Sequence, residues 1–241
     1  MYKRIRKPND ARLSTKILTY LLLSIAVFIS LFPFYMMFVS STHTTGEILS
    51  LPPQLKFGSS LISNMKKLNS SINVGRVFFN SLFITLTYTG ITLFLASMAG
   101  YALSKFNFKG KGIFFTLILI TMMIPNQVLL VPLFTMMNKI NWANTYKSVI
   151  IPGLANAFGI FLMRQNMLSF PDSLIEAARI DGYGEFSIFF KIVMPIMKPA
   201  LGALGIYTFM SQWNNFMWPL IILSTKDMYT FPIALASLDG L

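Results

Sequence analysis

Five long apolar runs divide the chain, and short polar segments separate them. The runs cover roughly residues 17–39, 77–103, 113–137, 148–163 and 201–223. None of them contains Asp, Glu, Lys, Arg or His. A helix needs about 20 apolar residues to cross the hydrocarbon of a bilayer, where its backbone has no water to bond with. The pattern predicts an all-α protein, a polytopic membrane helix bundle with five visible spans.

The distribution of basic residues predicts the orientation of these spans. With the N-terminus inside, 13 of the 20 Lys and Arg residues fall on the inner side and 7 on the outer side. Inner loops of membrane proteins collect Lys and Arg, so the bias favours a cytoplasmic N-terminus. The first run is 23 residues long. This exceeds the apolar core of a signal peptide, so we expect an uncleaved span.

Composition excludes several classes of protein. Only 12% of residues are charged, whereas soluble domains carry about 25%. The net charge is +12, and the basic residues lie between the apolar runs and not along one helix face. We therefore expect membrane lipid as a partner and no nucleic acid. The chain has no Cys and a single His, His43, which we expect at the surface. We therefore expect no metal site.

One charged segment stands out between the fourth and fifth runs, at about residues 171–200. Ser173 and Glu176 have the spacing of a capping box, which predicts a helix start at Ser173 and a helix running to about Asp181. Gly182 suits a left-handed helix end. A second short helix is predicted from Glu185 to Met194. We expect its apolar residues to pack on the protein itself: Phe186, Phe189, Phe190 and Val193. Pro195 and Pro199 are expected to end it.

The same segment resembles the EAA loop of ABC importer permeases. The shared order is Glu176-Ala177-Ala178, three residues, Gly182, nine residues, Ile192, one residue, and Met194-Pro195, where the family has Leu in place of Met194. Further matching sequences are Asn80-Ser81-Leu82, Tyr101-Ala102-Leu103, Met122-Met123-Ile124-Pro125 and Trp213-Asn214. They are similar to the carbohydrate group of such permeases, the maltose-type subunit with six spans.

The resemblance implies the type I ABC importer permease fold and a transport subunit of a bacterial cell membrane, not an enzyme. Such a subunit forms half of a translocation path, here for a sugar or oligosaccharide. It implies these ATPase-coupling residues: Glu176, Ala177, Ala178, Arg179, Asp181, Gly182, Ile192 and Pro195. It also implies a second permease subunit, two ABC ATPases and an external solute-binding protein as partners. The chain lacks the G-x-x-x-x-G-K-[ST] phosphate loop, so no cofactor is expected here, and ATP with Mg belongs on the ATPase.

Three alternatives stay open beside this hypothesis. The first is an ABC permease for a solute other than a sugar. The second is an ion-coupled secondary transporter, although a proton-coupled one usually needs a carboxylate or His within a span. The third is a membrane enzyme, for which the sequence offers only the acidic residues of the charged segment. Association with an ATPase would separate an ABC permease from the secondary transporter and the membrane enzyme.

Polar amides interrupt two of the apolar runs, and small residues recur in others. The amides and the neighbouring Trp are candidates for the translocation path: Asn126, Gln127, Gln212, Trp213, Asn214 and Asn215. Amides in lipid need partners, so interhelical hydrogen bonding is the alternative role. Three pairs of small residues predict close helix packing: Ala96 with Gly100, Gly153 with Ala157, and Gly202 with Gly205.

The expected domain arrangement is a basic cytoplasmic N-terminus at residues 1–16, followed by one permease domain at residues 17–241. Five spans place the C-terminus outside. Permeases of the maltose type have a sixth span after this point. We therefore expect that a sixth span of about 30 residues is missing from the chain.

Overall fold

The computed structural model describes residues 13–238 of the chain. It consists of helices and turns, with no strand within that range. The predicted basic segment before Leu13 and the last three residues lie outside the described residues. Two compact units divide the chain between Ser71 and Ile72. Each unit is described separately.

The first unit contains three helices. They are α1 (Leu13–Ser41), α2 (Thr45–Ile48) and α3 (Leu61–Ser71). Helix α1 is long and apolar enough to cross a membrane. The segment after α2 folds back along the end of α1. There the ring of Phe57 packs edge-on against Tyr35 and Phe38, with centroid distances of 6.0 and 5.9 Å.

His43 lies in the interior of the first unit, so the predicted surface position is wrong. Only 9% of the residue is exposed. Its Nε2 is 2.8 Å from the carbonyl oxygen of Lys56, and its Nδ1 is 3.2 Å from a carboxylate oxygen of Glu47. The Lys56 carbonyl and the Glu47 carboxylate raise the pKa of His43. Both ring nitrogens have hydrogen-bond partners in the protein in place of water, so the side chain can be buried without an unsatisfied polar atom.

The second unit is a helical bundle. Its α-helices are α4 (Val74–Lys105), α5 (Lys111–Thr121), α6 (Leu130–Lys139), α7 (Tyr146–Ile150), α8 (Ala157–Leu168), α9 (Asp172–Ile180), α10 (Glu185–Ile188), α11 (Met194–Ile196), α12 (Lys198–Trp213), α13 (Met217–Ile222) and α14 (Phe231–Ala236). Helix α4 is central, because α8 and α12 both pack along it.

Small residues allow α4 and α8 to approach closely, as the Ala96–Gly100 pair predicted. A Cβ at Gly100 would lie 2.8 Å from the backbone nitrogen of Arg164. A Cβ at Gly153 would lie 2.8 Å from the hydroxyl of Tyr88 on α4, so close packing is also confirmed at Gly153. The third prediction is wrong at Gly202, where a Cβ meets nothing within 4 Å.

Three of the predicted spans are not straight helices. The third bends by 91° between Lys111–Thr121 and Asn126–Lys139, and the fourth by 42° between Tyr146–Gly153 and Ala157–Leu168. The fifth run is split, because α12 ends at Trp213 and α13 begins at Met217. Hydropathy averaged over a window does not reveal such breaks, because two or three polar residues leave the mean at a value typical of a membrane span. In the described part of the chain, two single helices and three bent pairs are apolar enough to span. The third pair joins Glu185–Ile196 to Lys198–Trp213 across a bend of 79°, so its first half precedes the predicted fifth run.

Two clusters of buried side chains lie at different levels of α4. One includes Ile84, Tyr88 and Trp218, near the N-terminal end of α4. The other includes Tyr101, Met167 and Ile188, near its C-terminal end. Helix α4 therefore contributes to both cores.

Candidate functional site

The charged segment begins with helix α9, whose N-terminus differs from the prediction. The helix starts at Asp172, and Pro171 occupies the N-cap position without a side-chain cap. The predicted capping box at Ser173 and Glu176 is therefore wrong. Ser173 is already inside the first turn, so its hydroxyl cannot act as the N-cap acceptor. Pro171 is suited to the extended backbone that precedes a helix, with φ of −64° and ψ of 121°.

The C-terminus of α9 is as predicted. The helix ends at Ile180, and Gly182 has a φ of +82°. The N–H of Tyr183 donates to the Ala178 carbonyl at 2.9 Å, and the N–H of Gly182 donates to the Arg179 carbonyl at 3.1 Å. This pair of bonds is a Schellman motif, which needs a left-handed residue at Gly182.

Helix α9 has one face in the core and one face exposed. Ile175 and Ala178 are buried, with 2% and 5% exposure. The other face carries most of the predicted coupling residues: Glu176, Ala177, Arg179 and Asp181. The two alanines of the Glu-Ala-Ala motif therefore differ, because only Ala177 is open to a partner surface.

The next helical segment runs from Glu185 to Ile196, two residues beyond the predicted end. It contains a π-helical turn at Phe189–Val193. Pro195 lies two residues after this turn, inside the helix, so the prediction that Pro195 ends the helix is wrong. Its missing N–H cannot bond the carbonyl four residues earlier, and a wider turn avoids the clash there. The chain bends by 79° after Ile196.

The apolar side chains of this segment divide between the core and the surface. Phe189 and Val193 are buried as predicted, at 3% and 0% exposure, whereas Phe186 and Phe190 are 71% and 51% exposed. The prediction that all four pack on the protein itself is wrong for Phe186, whereas the exposed ring of Phe190 stacks on Phe94 of α4 at a centroid distance of 6.2 Å. Ile192 packs against the core, and Pro195 is exposed.

An ion pair joins the start of α9 to the end of α4. The Nζ of Lys105 donates to a carboxylate oxygen of Asp172 and to the carbonyl oxygen of Phe170, both at 2.6 Å. The lysine side chain is 4% exposed, and the Asp172 side chain is 73% exposed. Lys105 is the last residue of α4 and Asp172 the first of α9, so each charge lies at the helix end that favours its sign.

A second polar connection joins the end of α9 to α4. The Nε of Arg179 donates to one oxygen of Glu185 at 2.6 Å, and the hydroxyl of Tyr101 donates to the other at 3.2 Å. The Arg179 guanidinium lowers the pKa of Glu185. Both side chains of the ion pair are partly open to solvent, at 43% and 41% exposure.

The predicted path residues at the third run lie at a helix break. Asn126 and Gln127 form part of a 3₁₀ turn at Asn126–Leu129, directly after Pro125, and both are exposed on this chain. The backbone of residues 122–125 is not regular helix. At membrane depth, irregular backbone is tolerated only inside protein or beside a water-filled cavity.

The path residues at the fifth run also surround a break. The amide of Asn214 donates to the Met210 carbonyl at 2.8 Å, and Asn215 lies 3.5 Å from the side-chain oxygen of Gln212. The ring of Trp213 packs among aromatic rings of Phe78, Phe209 and Phe231. Within the described residues, no hydrogen bond joins this group to Asn126 or Gln127.

Sequence reasoning missed Lys105 and Tyr101 as parts of the site. Both lie near the end of the second apolar run, and their partners follow 65 to 84 residues later. A Lys directly after an apolar run was the one available signal. No group of His, Asp and Glu suited to a metal ion occurs among the described residues.

Comparison with known proteins identifies relatives of the whole chain. Residues 92–239 match the family described as "Binding-protein-dependent transport system inner membrane component". The lactose transport system permease protein LacG of Rhizobium radiobacter is 38% identical over 222 residues, which cover 92% of this chain and 81% of LacG. The sn-glycerol-3-phosphate transport system permease protein UgpE of Yersinia enterocolitica is 33% identical over 227 residues, with coverages of 92% and 81%.

A solved structure shares the fold. It is a bacterial ABC transporter involved in the import of the acidic polysaccharide alginate, with a TM-score of 0.77 and 24% identity. The match covers 95% of this chain and 81% of that chain. The type I permease fold predicted from the sequence is thereby confirmed. The chain belongs to the family of binding-protein-dependent transport system inner membrane components and is a multi-pass permease subunit of an ABC importer.

Proposed function

We propose that this permease imports a sugar or oligosaccharide and couples to a cytoplasmic ATPase through residues 171–196. The geometry of α9 carries the proposal. Its inner face is fixed to the core, its end is closed by the Gly182 turn, and its outer face is open. Such a helix can receive a partner and pass a displacement into the bundle.

The exposed face has the chemistry of a protein interface. Ile180 is 86% exposed and Phe186 is 71% exposed, and both lie close in sequence to Glu176, Arg179 and Asp181. Exposed apolar side chains beside charged ones are typical of docking surfaces. The proposed assembly contains a second permease subunit, two ATPases that bind ATP and Mg, and an external binding protein.

Single cysteines test the docking face, because the natural chain contains none. We expect Ala177→Cys to form a thiol-specific cross-link with an ATPase subunit in the purified complex. Ala178→Cys is the matched control, since Ala178 is 5% exposed and faces the core. Equal cross-linking at both positions, or none at Ala177, would contradict the proposed surface.

The same cysteines test the orientation. An impermeant maleimide should reach Ala177→Cys in inverted membrane vesicles and not in intact cells. Lys226→Cys, at an exposed position after α13, should show the opposite pattern. Labelling of Ala177→Cys in intact cells would show that the N-terminus lies outside.

A neutral polyhydroxylated solute fits the apolar runs better than a phosphorylated one. The runs carry amides but no Lys, Arg or His, so a phosphate in the path would lack a cationic partner. Amides at the two helix breaks match the hydroxyls of a sugar. The amides and the lack of cationic side chains in this half of the path both favour a carbohydrate as the solute. The name of the relative LacG, a lactose permease, points to the same class.

Uptake measurements in a deletion strain test the solute class. The deletion strain should lose uptake of a neutral sugar or oligosaccharide and should take up sn-glycerol-3-phosphate at the normal rate. Complementation with the chain should restore it. Loss of sn-glycerol-3-phosphate uptake alone would contradict the carbohydrate assignment and place the chain functionally beside UgpE.

A further inference from the structure

The C-terminal turn of α4 holds α9 at two separate points. Lys105 binds Asp172 and the Phe170 carbonyl at the start of α9. One turn earlier, Tyr101 binds Glu185, which binds Arg179 in the last turn of α9. A helix held at one point can pivot, whereas a helix held at both ends moves with its support.

Other polar groups at this end of α4 do not reach α9. The Nζ of Lys111 donates to the Ser104 and Phe106 carbonyls at 3.3 and 2.8 Å. The Nε of Arg164, on α8, donates to the Leu103 carbonyl at 3.2 Å. Among the hydrogen bonds of the described residues, only Lys105 and Tyr101 run from α4 to the proposed coupling segment.

The same helix extends to the opposite end of the bundle. Helix α4 has 32 residues and a length of about 48 Å at 1.5 Å per residue. At its other end, Asn80 donates to the carbonyls of Asp227 and Tyr229 at 2.8 and 3.0 Å. A displacement of the C-terminal turn therefore has a continuous helical route to the segment after α13.

We propose that Lys105 and Tyr101 are positioning residues that transmit the displacement of α9 to α4. The proposal rests on the proposed ATPase coupling through residues 171–196. Lys105 fixes the first turn of α9, and Tyr101 fixes its last turn through Glu185 and Arg179. Without these two points, an ATPase can still dock on the outer face of α9 but moves the bundle less.

Two lysines beside the C-terminal end of α4 give a matched pair for the test: Lys105, the last residue of α4, and Lys111, the first residue of α5. Lys105→Met removes the link to α9, and Lys111→Met removes a similar interaction with α4 carbonyls but no link to α9. The complex with its ATPase and binding protein is reconstituted in vesicles, and solute uptake is measured per ATP hydrolysed. We expect Lys105→Met to bind the ATPase normally and to lower this ratio about tenfold, with Lys111→Met within about twofold of the natural chain.

Conservative variants separate transmission from folding. Lys105→Arg keeps a donor for both partners and should restore most of the ratio. Tyr101→Phe removes a single hydroxyl and should lower the ratio about threefold, and it decides the question if Lys105→Met lowers abundance. A purely structural role would lower abundance or thermal stability and leave uptake per ATP unchanged in the assembled complex.

The outcomes distinguish this proposal from the one that it rests on. Failure of the natural chain to bind any ATPase overturns the proposed coupling function. Normal ATPase binding with an unchanged ratio in both Lys105→Met and Tyr101→Phe overturns the transmission role alone.

Discussion

The two ends of α4 are held by different chemistry. At the N-terminal end, Asn80 is fully buried and uses its whole amide: it donates to two carbonyls and accepts from the Tyr146 hydroxyl at 2.6 Å. At the C-terminal end, the bonds are charge-assisted and reach exposed partners, such as Asp172 at 73% exposure. The N-terminal end is held mainly by buried neutral groups, with one exposed bond from Arg76 to the Asp227 carbonyl, and the C-terminal end is ionic and open to water.

This difference indicates different mechanical roles. A buried amide with all its partners costs much free energy to break, because each separated group is left without a hydrogen bond. Ion pairs with exposed partners contribute little to static stability and exchange readily with water. The neutral end is therefore the harder of the two to separate, whereas the strength of the ionic link to α9 depends on pH and salt.

The largest effect is expected at the neutral end. Asn80→Leu leaves the Tyr229 carbonyl and the Tyr146 hydroxyl without partners, and it leaves the Asp227 carbonyl only the 3.3 Å bond from Arg76. The loss should cost about 3 kcal/mol of unfolding free energy. The thermal midpoint in detergent should fall by roughly 5–10 °C. Asn138→Leu is the control, since Asn138 is exposed and its amide bonds only a carbonyl of its own helix. Equal midpoints for the two variants would show that the Asn80 network does not hold this end.

The second effect concerns the turn that closes α9. Gly182→Thr places a β-branched residue at a φ of +82°, a strain of roughly 1–3 kcal/mol that should disorder the end of the helix. Uptake should fall roughly tenfold at normal membrane abundance. Gly184→Thr is the matched control, because Gly184 has a φ of −72° at the N-cap of α10, where Thr is favourable. Normal uptake by Gly182→Thr would separate this turn from coupling.

Local sequence signals predicted part of this site, and non-local contacts account for the rest. Gly182 marked its turn because the need for a positive φ is a property of a single position. The predicted capping box is wrong because Pro171 is the N-cap and the helix begins at Asp172, one residue before Ser173. Lys105 and Asp172 are 67 residues apart, and Asn80 and Tyr229 are 149 residues apart. No periodicity or spacing in the sequence indicates that such residues meet.

The spans show the same limit at a larger scale. Hydropathy found the apolar runs because lipid exposure requires them along their whole length. It did not indicate the 91° bend after Thr121 or the end of α12 at Trp213. The amides at Asn126 and Asn214 were the only sign of both breaks, and their role in a translocation path stays a prediction.

A third prediction uses pH to separate the two ends. Arg179 lowers the pKa of Glu185 below its ordinary value of 4.5, so this pair stabilises the fold above that pH and is lost as pH falls through the lowered pKa. Hydrogen-exchange protection of residues 179–188 should therefore decline below about pH 4.5. The Asn80 network contains no carboxylate among its bonded atoms and should not respond in this acidic range. Glu185→Gln should abolish the pH response, and a parallel loss at both ends would contradict the comparison.

The smallest effect is expected from salt. Raising the ionic strength from about 0.1 to 1 M shortens the screening length from about 10 to 3 Å, which weakens ion pairs with exposed partners by a few tenths of a kcal/mol. Amide protection in the first turn of α9 should decrease slightly, because Asp172 is exposed even though Lys105 is buried. Protection of residues 227–231 should change less, since neutral hydrogen bonds from Asn80 and Ser81 hold them to α4 beside the one bond from Arg76. In Lys105→Met the response at α9 should disappear. A salt response of equal size at residues 227–231 would show that the two ends do not differ in the way their bonds are made.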